Sequence, residues 1–474
     1  MRIPLLATAL LCGCAVGPDY VRPDAAVAQQ WQLDPGWQAG NPRDGEIKGA
    51  WWEVFGDADL NTLQQKAQQD GQTLLIAQAR LDQARAQANV ANSALFPQVG
   101  LQAGATRERT SAERPVSSYG ARNSSVVQND FTAGFNVSYE PDLFGRVRRS
   151  VESAEAGAAQ AQADFENVRL VLSAELAADY FALRATDAEI DLLERTLKAQ
   201  KQALTLISDR HELGAASMLD LYQQEALAAA TQTQLTLQRD QRSRYQNALA
   251  TLVGVPAPDF VLPAKPGMAS VPAIPLTTPT VLLERRPDIA AAERAMAAAN
   301  AQIGVARSAY FPSLTLSGFY GSEASDISNL FSAPATLWAL GIGATQTLFD
   351  AGRTRASVAF AEAGYRQTVA SYRQTVLVAM QEVQDGLSST ATLGSAHVSA
   401  RRAADSAGAA LKLSNDRYAF GVANHLEVVI SEQGYLNYQR QVVQLQGQQL
   451  LNAVRLVKAL GGGWQAEPGA TSKQ

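Results

Sequence analysis

The residues with the most evident chemistry in this sequence are three histidines and two cysteines. The histidines, His211, His397 and His425, lack the spacing of metal ligands. His211 opens the stretch HELGA, which begins like a zinc-protease motif but has no second histidine. The sequence also contains no Walker loop, Gly-x-Ser-x-Gly or Cys-x-x-Cys motif. We therefore expect no catalytic residue, no metal and no cofactor, and hence no enzyme.

Both cysteines lie at the extreme N-terminus, where neither can belong to a disulfide framework. They end the stretch MRIPLLATALLCGC, whose single arginine and apolar run are typical of a secretory signal. Its last four residues resemble the lipobox of bacterial lipoproteins. That resemblance implies cleavage after Gly13 and a lipid on Cys14. The alternative is an ordinary secretory signal in which Cys12 and Cys14 are incidental.

Two acidic residues occupy equivalent places in a repeated turn. The stretches Asp209–Leu221 (DRHELGAASMLDL) and Asp416–Val428 (DRYAFGVANHLEV) share five of thirteen residues at an offset of 207. Asp220 and Glu427 each follow the glycine of their turn by six positions. A turn repeated in this way predicts two copies of one supersecondary unit.

The elements that carry these turns are predicted to be long helices. Proline is absent between Pro141 and Pro256 and between Pro334 and Pro468, and proline breaks helix interiors. The predicted helices form two hairpins, Val147–Leu213 with Met218–Val253 and Arg353–Phe420 with Leu426–Leu460. A seven-residue repeat in the first helix predicts a coiled-coil seam, formed by Leu176, Leu183, Ile190, Leu197 and Leu204.

Four stretches alternate apolar and polar residues and therefore predict strands with one apolar and one polar face. They are residues 98–106, 130–140, 313–321 and 337–348. Their lengths suit tilted membrane-spanning strands of about 9–11 residues. Four strands cannot close a barrel, whose known minimum is about eight, so we expect three copies to supply twelve. A soluble sandwich with one wet face is the alternative.

Composition narrows the function classes. The chain has 474 residues, is 46% apolar and carries a net charge of −5. No block of lysine and arginine is present to meet a phosphate backbone, so we expect no nucleic-acid partner. Beyond the N-terminal segment, no run of about 18 apolar residues predicts a membrane-spanning helix.

The stretch LLERRPDIAAAERAMAAANAQIGVARSAYFPSLTLSG, residues 282–318, resembles the signature of the TolC-like outer-membrane efflux proteins. Three further stretches agree with the lipoprotein branch of this family: CAVGPDYVRP from Cys14, WWEVFGDADLNTL from Trp51 and LFDAGRTRASV from Leu348. The resemblance covers about residues 14–461.

The resemblance implies a mixed α+β fold that is mostly α. Duplicated helical hairpins would form an α-helical barrel, and four amphipathic strands would contribute to the twelve-stranded transmembrane β-barrel of a homotrimer. Such a protein is lipid-anchored in the outer membrane and extends into the periplasm. It is the passive exit duct that conducts drugs or other small solutes to the outside from an inner-membrane RND-type pump and its periplasmic adaptor.

The resemblance also implies that the hairpin tips form the periplasmic gate, where Asp220 and Glu427 of three chains would make two rings of carboxylates. Tyr418 would tie one hairpin to Asp220 of its neighbour, and Glu427 would belong to an acidic aperture ring beside Leu426. Ala423 and Ile430 depart from the tightest pattern, in which an arginine and a second acid stand there. Alternatively, the two acids only cap their helices. The tips are also where an adaptor would dock, at Arg210, Gly214, Arg417 and Gly421; solvated turn charges are the alternative for the arginines.

These expectations divide the chain into six segments. A signal peptide (1–13) and a lipidated extended segment (14–56) precede the first repeat (57–254), with a strand hairpin at 98–140 and a helical hairpin at 146–254. A proline-rich linker (255–286) leads to the second repeat (287–461), with hairpins at 313–348 and 353–460, and a tail (462–474). Two alternatives to solute efflux stay open, a protein-secretion outlet and a non-conducting periplasm-spanning lipoprotein. The amphipathic strands disfavour the non-conducting lipoprotein, and the signature disfavours the protein-secretion outlet.

Overall fold

Two copies of one helix-and-strand pattern follow each other along the chain. The computed structural model describes residues 15–25, 27–28, 30–31, 49–113, 125–272, 274 and 285–462. The predicted signal peptide, Cys14, residues 275–284 of the linker and residues 463–474 lie outside them. After a short 3-10 helix (Trp51–Phe55), the helices are α1 (Ala58–Asp70), α2 (Gln72–Ser93), α3 (Arg146–Glu212), α4 (Met218–Val253), α5 (Pro287–Ser308), α6 (Arg353–Ala419) and α7 (His425–Ala459).

The long helices confirm the predicted hairpins to within about one residue at each end. Helices α3 and α6 are each 67 residues long. Each is followed, two residues after its end, by a glycine with positive φ, 74° at Gly214 and 71° at Gly421. The amide after each glycine donates to the carbonyl five residues earlier, Ala215 to Arg210 and Val422 to Arg417. This is the Schellman geometry that glycine allows without a Cβ penalty, so the repeated turn is a repeated helix stop.

The four predicted strands form one antiparallel sheet in the order β1-β2-β3-β4. The strands are β1 (Gln98–Arg109), β2 (Val127–Tyr139), β3 (Ser313–Ala324) and β4 (Thr336–Thr345). Strands β1 and β3 extend three residues beyond the predicted stretches, and β2 begins three residues earlier and ends one residue earlier than predicted. The prediction that β4 reaches Leu348 is wrong. Thr345 pairs with Ser313, the first residue of β3. Because Pro312 precedes Ser313 and has no amide hydrogen to donate, the ladder ends there.

The two faces of the sheet differ in chemistry, as the alternation predicts. One face carries Leu101, Phe135, Tyr320, Trp338, Leu340 and Ile342, and the register places these side chains beside one another. Leu340 is 82% exposed and Ile342 74% exposed. A soluble sandwich would cover such a face, because soluble monomers rarely leave large apolar patches bare. The described part of the chain leaves this face uncovered.

The chain divides into two compact units, and each draws on both repeats. One comprises residues 1–23, 81–161 and 292–371 and contains the sheet; the other comprises 24–80, 162–291 and 372–474. The second unit has an apolar core of large side chains that are at most 6% exposed, among them Trp51, Phe55, Leu176, Phe181, Leu183, Leu249 and Leu450. Three of the five predicted seam positions, Leu176, Leu183 and Leu197, are buried. Across the described residues, no helix has the length and hydropathy needed to cross a membrane.

Candidate functional site: the hairpin tips and the N-terminal segment

Asp220 belongs to the start of its own helix. The Ser217 hydroxyl accepts a hydrogen bond from the Asp220 amide at 3.1 Å, and the Asp220 carboxylate accepts one from the Ser217 amide at 3.1 Å. This reciprocal pair is a capping box, which satisfies two amide donors at the start of α4. The capping interpretation of Asp220 therefore has a direct contact in its favour. Its place in an aperture ring stays a prediction.

Glu427 pairs with an arginine of the same turn. Asn424 caps α7 by accepting from the Glu427 amide at 3.2 Å, which leaves the Glu427 carboxylate free for a charged partner. The Nε of Arg417 lies 3.1 Å from that carboxylate, with the two side chains 48% and 40% exposed. The pair thus joins a residue expected at the gate with one expected at the docking surface. At this exposure it contributes roughly 0–1 kcal/mol.

A buried histidine connects the two tips of one chain, and the sequence did not reveal its role. His425 is 3% exposed, and its Nε2 lies 3.1 Å from the Gln224 side-chain oxygen on α4. The Gln224 amide nitrogen donates to the Gln200 carbonyl on α3 at 3.1 Å. Met218 stands at the equivalent position of the first copy and is 45% exposed, so the repeat gives no signal for the burial of His425.

Tyr418 packs beside this histidine. Its ring centroid lies 5.2 Å from that of His425, and the Arg210 guanidinium lies 6.0 Å from the Tyr418 ring. Among the hydrogen bonds of the described tips, none joins Tyr418 to Asp220 within one chain. The Tyr418–Asp220 tie stays a prediction. Leu426 is 42% exposed at the same tip.

Burial of His425 makes the tips sensitive to pH. Desolvation lowers the pKa of His425 below its ordinary value of 6.5, although the charge of Asp220 acts in the opposite direction. Below pH 6.5 the unfolded chain therefore binds a proton that the folded chain still excludes, so stability falls as pH falls. We expect the thermal unfolding midpoint of the wild type to drop more between pH 7.5 and 5.5 than that of His425→Gln. His397→Gln is the control, and a drop that His425→Gln leaves unchanged would exclude His425 as its source.

The N-terminal segment that precedes the repeats is bound to the sheet-containing unit. The Val16 amide donates to the Phe144 carbonyl at 3.1 Å, and Arg149 meets the Asp19 carboxylate at 2.6 Å. The amide of Asn300, which is 3% exposed, donates to the Pro18 carbonyl at 2.8 Å. A Cβ on Gly17 would lie 2.6 Å from the Gly304 Cα. Two signature residues, Asn300 and Gly304, thus serve to hold this segment.

The arginine of the signature has a structural role in the other unit. The Arg286 side chain is 7% exposed and meets Asp288 and Glu382, each at 2.7 Å. It also donates to the Ala459 carbonyl near the end of α7 at 2.9 Å. The motif therefore fastens the start of α5 to α6 and α7. Among the described residues, no group of three potential ligands could hold a metal ion.

An antiparallel sheet with one lipid-compatible face and one polar face, joined to duplicated helical hairpins, is typical of an outer-membrane channel protein. The sequence model of the outer membrane efflux protein family matches residues 63–255 and 278–462. The chain belongs to this family, and it is an outer-membrane component of efflux. The family is one of transport channels.

Curated relatives and solved structures agree with this assignment. The chain is 34% identical to the probable efflux pump outer membrane protein SepC of Pseudomonas putida over 480 residues, 98% of each chain. It is 33% identical to the outer membrane protein OprJ of Pseudomonas aeruginosa, over 97% of this chain and 95% of that one. The outer-membrane channel OprN matches with a TM-score of 0.86 at 31% identity, over 96% of this chain and all of that one.

The open state of the MtrE channel of Neisseria gonorrhoeae matches with a TM-score of 0.80 at 26% identity, over 95% of this chain and 99% of that one. The predicted family, fold class, efflux function and outer-membrane location are confirmed.

Proposed function

We propose that three copies of this chain assemble into one channel, through which small solutes leave the periplasm. The observation that carries this proposal is the sheet: among the described strands β1 pairs with β2 alone and β4 with β3 alone, so each has an unpaired edge. Hydrocarbon does not tolerate unpaired backbone groups. Because neighbouring strands alternate in direction, β4 of one copy runs antiparallel to β1 of the next, and twelve strands close into a cylinder.

The polar face would then line a water-filled lumen. It consists of small or uncharged side chains over most of its length, such as Gln98, Gly100, Asn136, Ser138, Thr315, Ser317 and Gly343. Such a lining favours a conducting channel over a non-conducting tether. A passive duct needs an energised partner, and the efflux-pump names of the relatives support a pump in that role. In this proposal the pump is of the inner-membrane RND type and is joined to the duct by a periplasmic adaptor, as the resemblance of residues 282–318 implies.

The names of the relatives also support small organic solutes over proteins as cargo. They include a toluene efflux pump protein, an antibiotic efflux pump protein and a pyoverdine export protein. The proposal also includes the lipid anchor on Cys14 and the division of the chain into the six predicted segments. The hairpin tips would contact the adaptor at Arg210, Gly214, Arg417 and Gly421.

The oligomeric state tests the proposal most directly. Native mass spectrometry of the detergent-extracted protein should show a trimer, and an engineered cysteine pair across the edges of β1 and β4 should cross-link one copy to another. Cross-links formed within a single chain, or a stable monomer that conducts, would contradict the trimeric channel.

The tips should control conductance. We expect Asp220→Asn combined with Glu427→Gln to raise single-channel conductance or open time by roughly twofold per subunit, since the exposed Arg417–Glu427 pair of each tip is worth about 0.5 kcal/mol. Asparagine keeps an oxygen that can cap α4, so this variant removes charge while the cap survives. Ser217→Ala is the matched control because it removes the cap and keeps the carboxylate. Equal conductance in the charge variant and the wild type would leave both acids as caps only.

A further inference from the structure

The polar face of the described sheet carries a single aromatic ring, that of Phe319. Its register partners are Asn136 on β2 and Ala339 on β4. A phenyl ring is unexpected on a face built of glycine, serine, threonine, asparagine and glutamine. The alternation of the strand leaves no doubt about the side on which it lies, because Gly318 and Tyr320 belong to the opposite face.

The ring of Phe319 packs onto the sheet over a pair of glycines. Gly134 and Gly321 are register partners on β2 and β3. A Cβ on Gly134 would lie 2.6 Å from Phe319 Cζ, and a Cβ on Gly321 would lie 3.0 Å from Phe319 Cε1. The ring therefore occupies the space that side chains at both positions would take. An aromatic ring that covers paired glycines stabilises a sheet. One face of the ring then lies against the glycines, and the other face is directed away from the sheet.

Phe319 belongs to a small apolar area on the polar face. Leu337 pairs with Gly321, so it is the diagonal neighbour of Phe319 across β3 and β4. Phe319, Leu337 and Ala339 together form what we call the luminal patch. The exposed fraction of both larger side chains is intermediate.

The charges on the same face have one sign. Toward the ends of β1, β2 and β3 that are distant from the helices, the polar face carries Glu108, Asp130 and Glu323, as the register shows. The described residues of this face include no lysine or arginine, since Arg107 and Arg109 alternate onto the other side. In a trimer, nine carboxylates would share the lumen with three phenyl rings. The field in such a lumen favours cations.

We propose that the luminal patch, centred on Phe319, is a contact site for aromatic cations that pass through the lumen. This inference rests on the proposed function, because only a trimer turns the polar face inward. The ring face attracts a cation or stacks with a planar ring, and the carboxylates raise the local concentration of cations. The contact is weak and reversible, as conduction requires that a bound solute can leave.

Block of single channels by a membrane-impermeant dye tests the site. Propidium, an aromatic cation, should interrupt the current of wild-type channels in planar lipid bilayers. We expect the interruptions to be about three- to tenfold shorter in Phe319→Ser, the range of one cation–π contact, and to be retained in Phe319→Tyr. Asn136→Ser, on the same rung of the same face, should leave them unchanged. Spermidine, which has no ring, and hydroxypyrene trisulfonate, an aromatic anion, should show no Phe319-dependent block.

The outcomes separate this inference from the proposed function. Conducting channels that propidium does not block, or that it blocks equally in Phe319→Ser, would overturn the contact site and leave the channel standing. A wild-type protein that forms no channels would contradict the proposed function and the contact site together. If Phe319→Ser does not assemble, Phe319→Leu makes the same test, because it keeps apolar volume over the glycines but has no ring.

Discussion

Gly321→Val is expected to abolish assembly of the channel. A Cβ at this position would meet backbone atoms of β2, the Ala133 carbonyl oxygen and, at 2.6 Å, the Gly134 Cα. Backbone cannot turn aside as a flexible side chain can, so β2 and β3 must separate. Overpacking of a close-packed site costs about 1–3 kcal/mol. Here it affects the β2–β3 pairing, which among the described strands is the only one between the two strand hairpins. A trimer would contain this defect three times.

The measurement is the amount of heat-modifiable trimer in outer-membrane fractions. Gly343→Val is the matched control. It adds the same side chain on the same polar face of the sheet, but the nearest atom to its Cβ is the Thr315 carbonyl oxygen at 4.0 Å. We expect near-normal trimer for Gly343→Val and little or none for Gly321→Val. Equal yields would mean that the β2–β3 pairing is not required for assembly.

Asp187→Ala is expected to cause the second large effect, a loss of stability of about 3–5 kcal/mol, as for other buried charge pairs that lose one partner. The Asp187 carboxylate is 1% exposed and lies 3.0 Å from Arg184, 2.6 Å from Arg242 and 3.1 Å from the Lys265 amide. The alanine leaves Arg184, which is 3% exposed, without its closest carboxylate. Arg184 and Arg242 also donate to the linker carbonyls of Pro263 and Leu262, so the loss of Asp187 should weaken this attachment of the linker as well.

A neighbouring acid on the same helix supplies the control. Asp191 pairs with Arg195 at 2.9 Å, but the two side chains are 42% and 71% exposed. Asp191→Ala should therefore change the free energy of unfolding by no more than about 0.5 kcal/mol. Urea unfolding followed by tryptophan fluorescence compares the variants, since Trp51 and Trp52 lie in the core of this unit. A loss for Asp187→Ala as small as that for Asp191→Ala would show that the network is not a main source of stability.

The long helices could be predicted because the residues that begin and end a helix lie next to it in the sequence. Proline is disfavoured in helix interiors, and glycine permits the Schellman stop. The bounds of α4 therefore followed from the sequence without error. The strands followed from alternation, but their pairing partners did not. The contact of Phe135 with Tyr320 joins residues from different repeats, and no local pattern encodes it.

The tips were less accessible to prediction for the same reason. Glu427 and Arg417 lie across one turn, and their pairing is a short-range contact. His425 meets Gln224 over a separation of 201 residues, and burial of a histidine depends on how four helix ends pack. The aperture ring and the adaptor contacts depend on other chains, which leaves Asp220, Tyr418, Leu426 and Glu427 as predictions for experiment.

The equal length of α3 and α6, 67 residues each, limits how such a gene can change. Deleting one residue from either helix shifts everything beyond it by about 1.5 Å and turns it by about 100°. The tip of the shortened hairpin and the tip of the unchanged hairpin would then differ in axial position and in orientation. Insertions and deletions should therefore be tolerated only when both copies receive them together, and best in steps of about seven residues, which restore the facing of the seam.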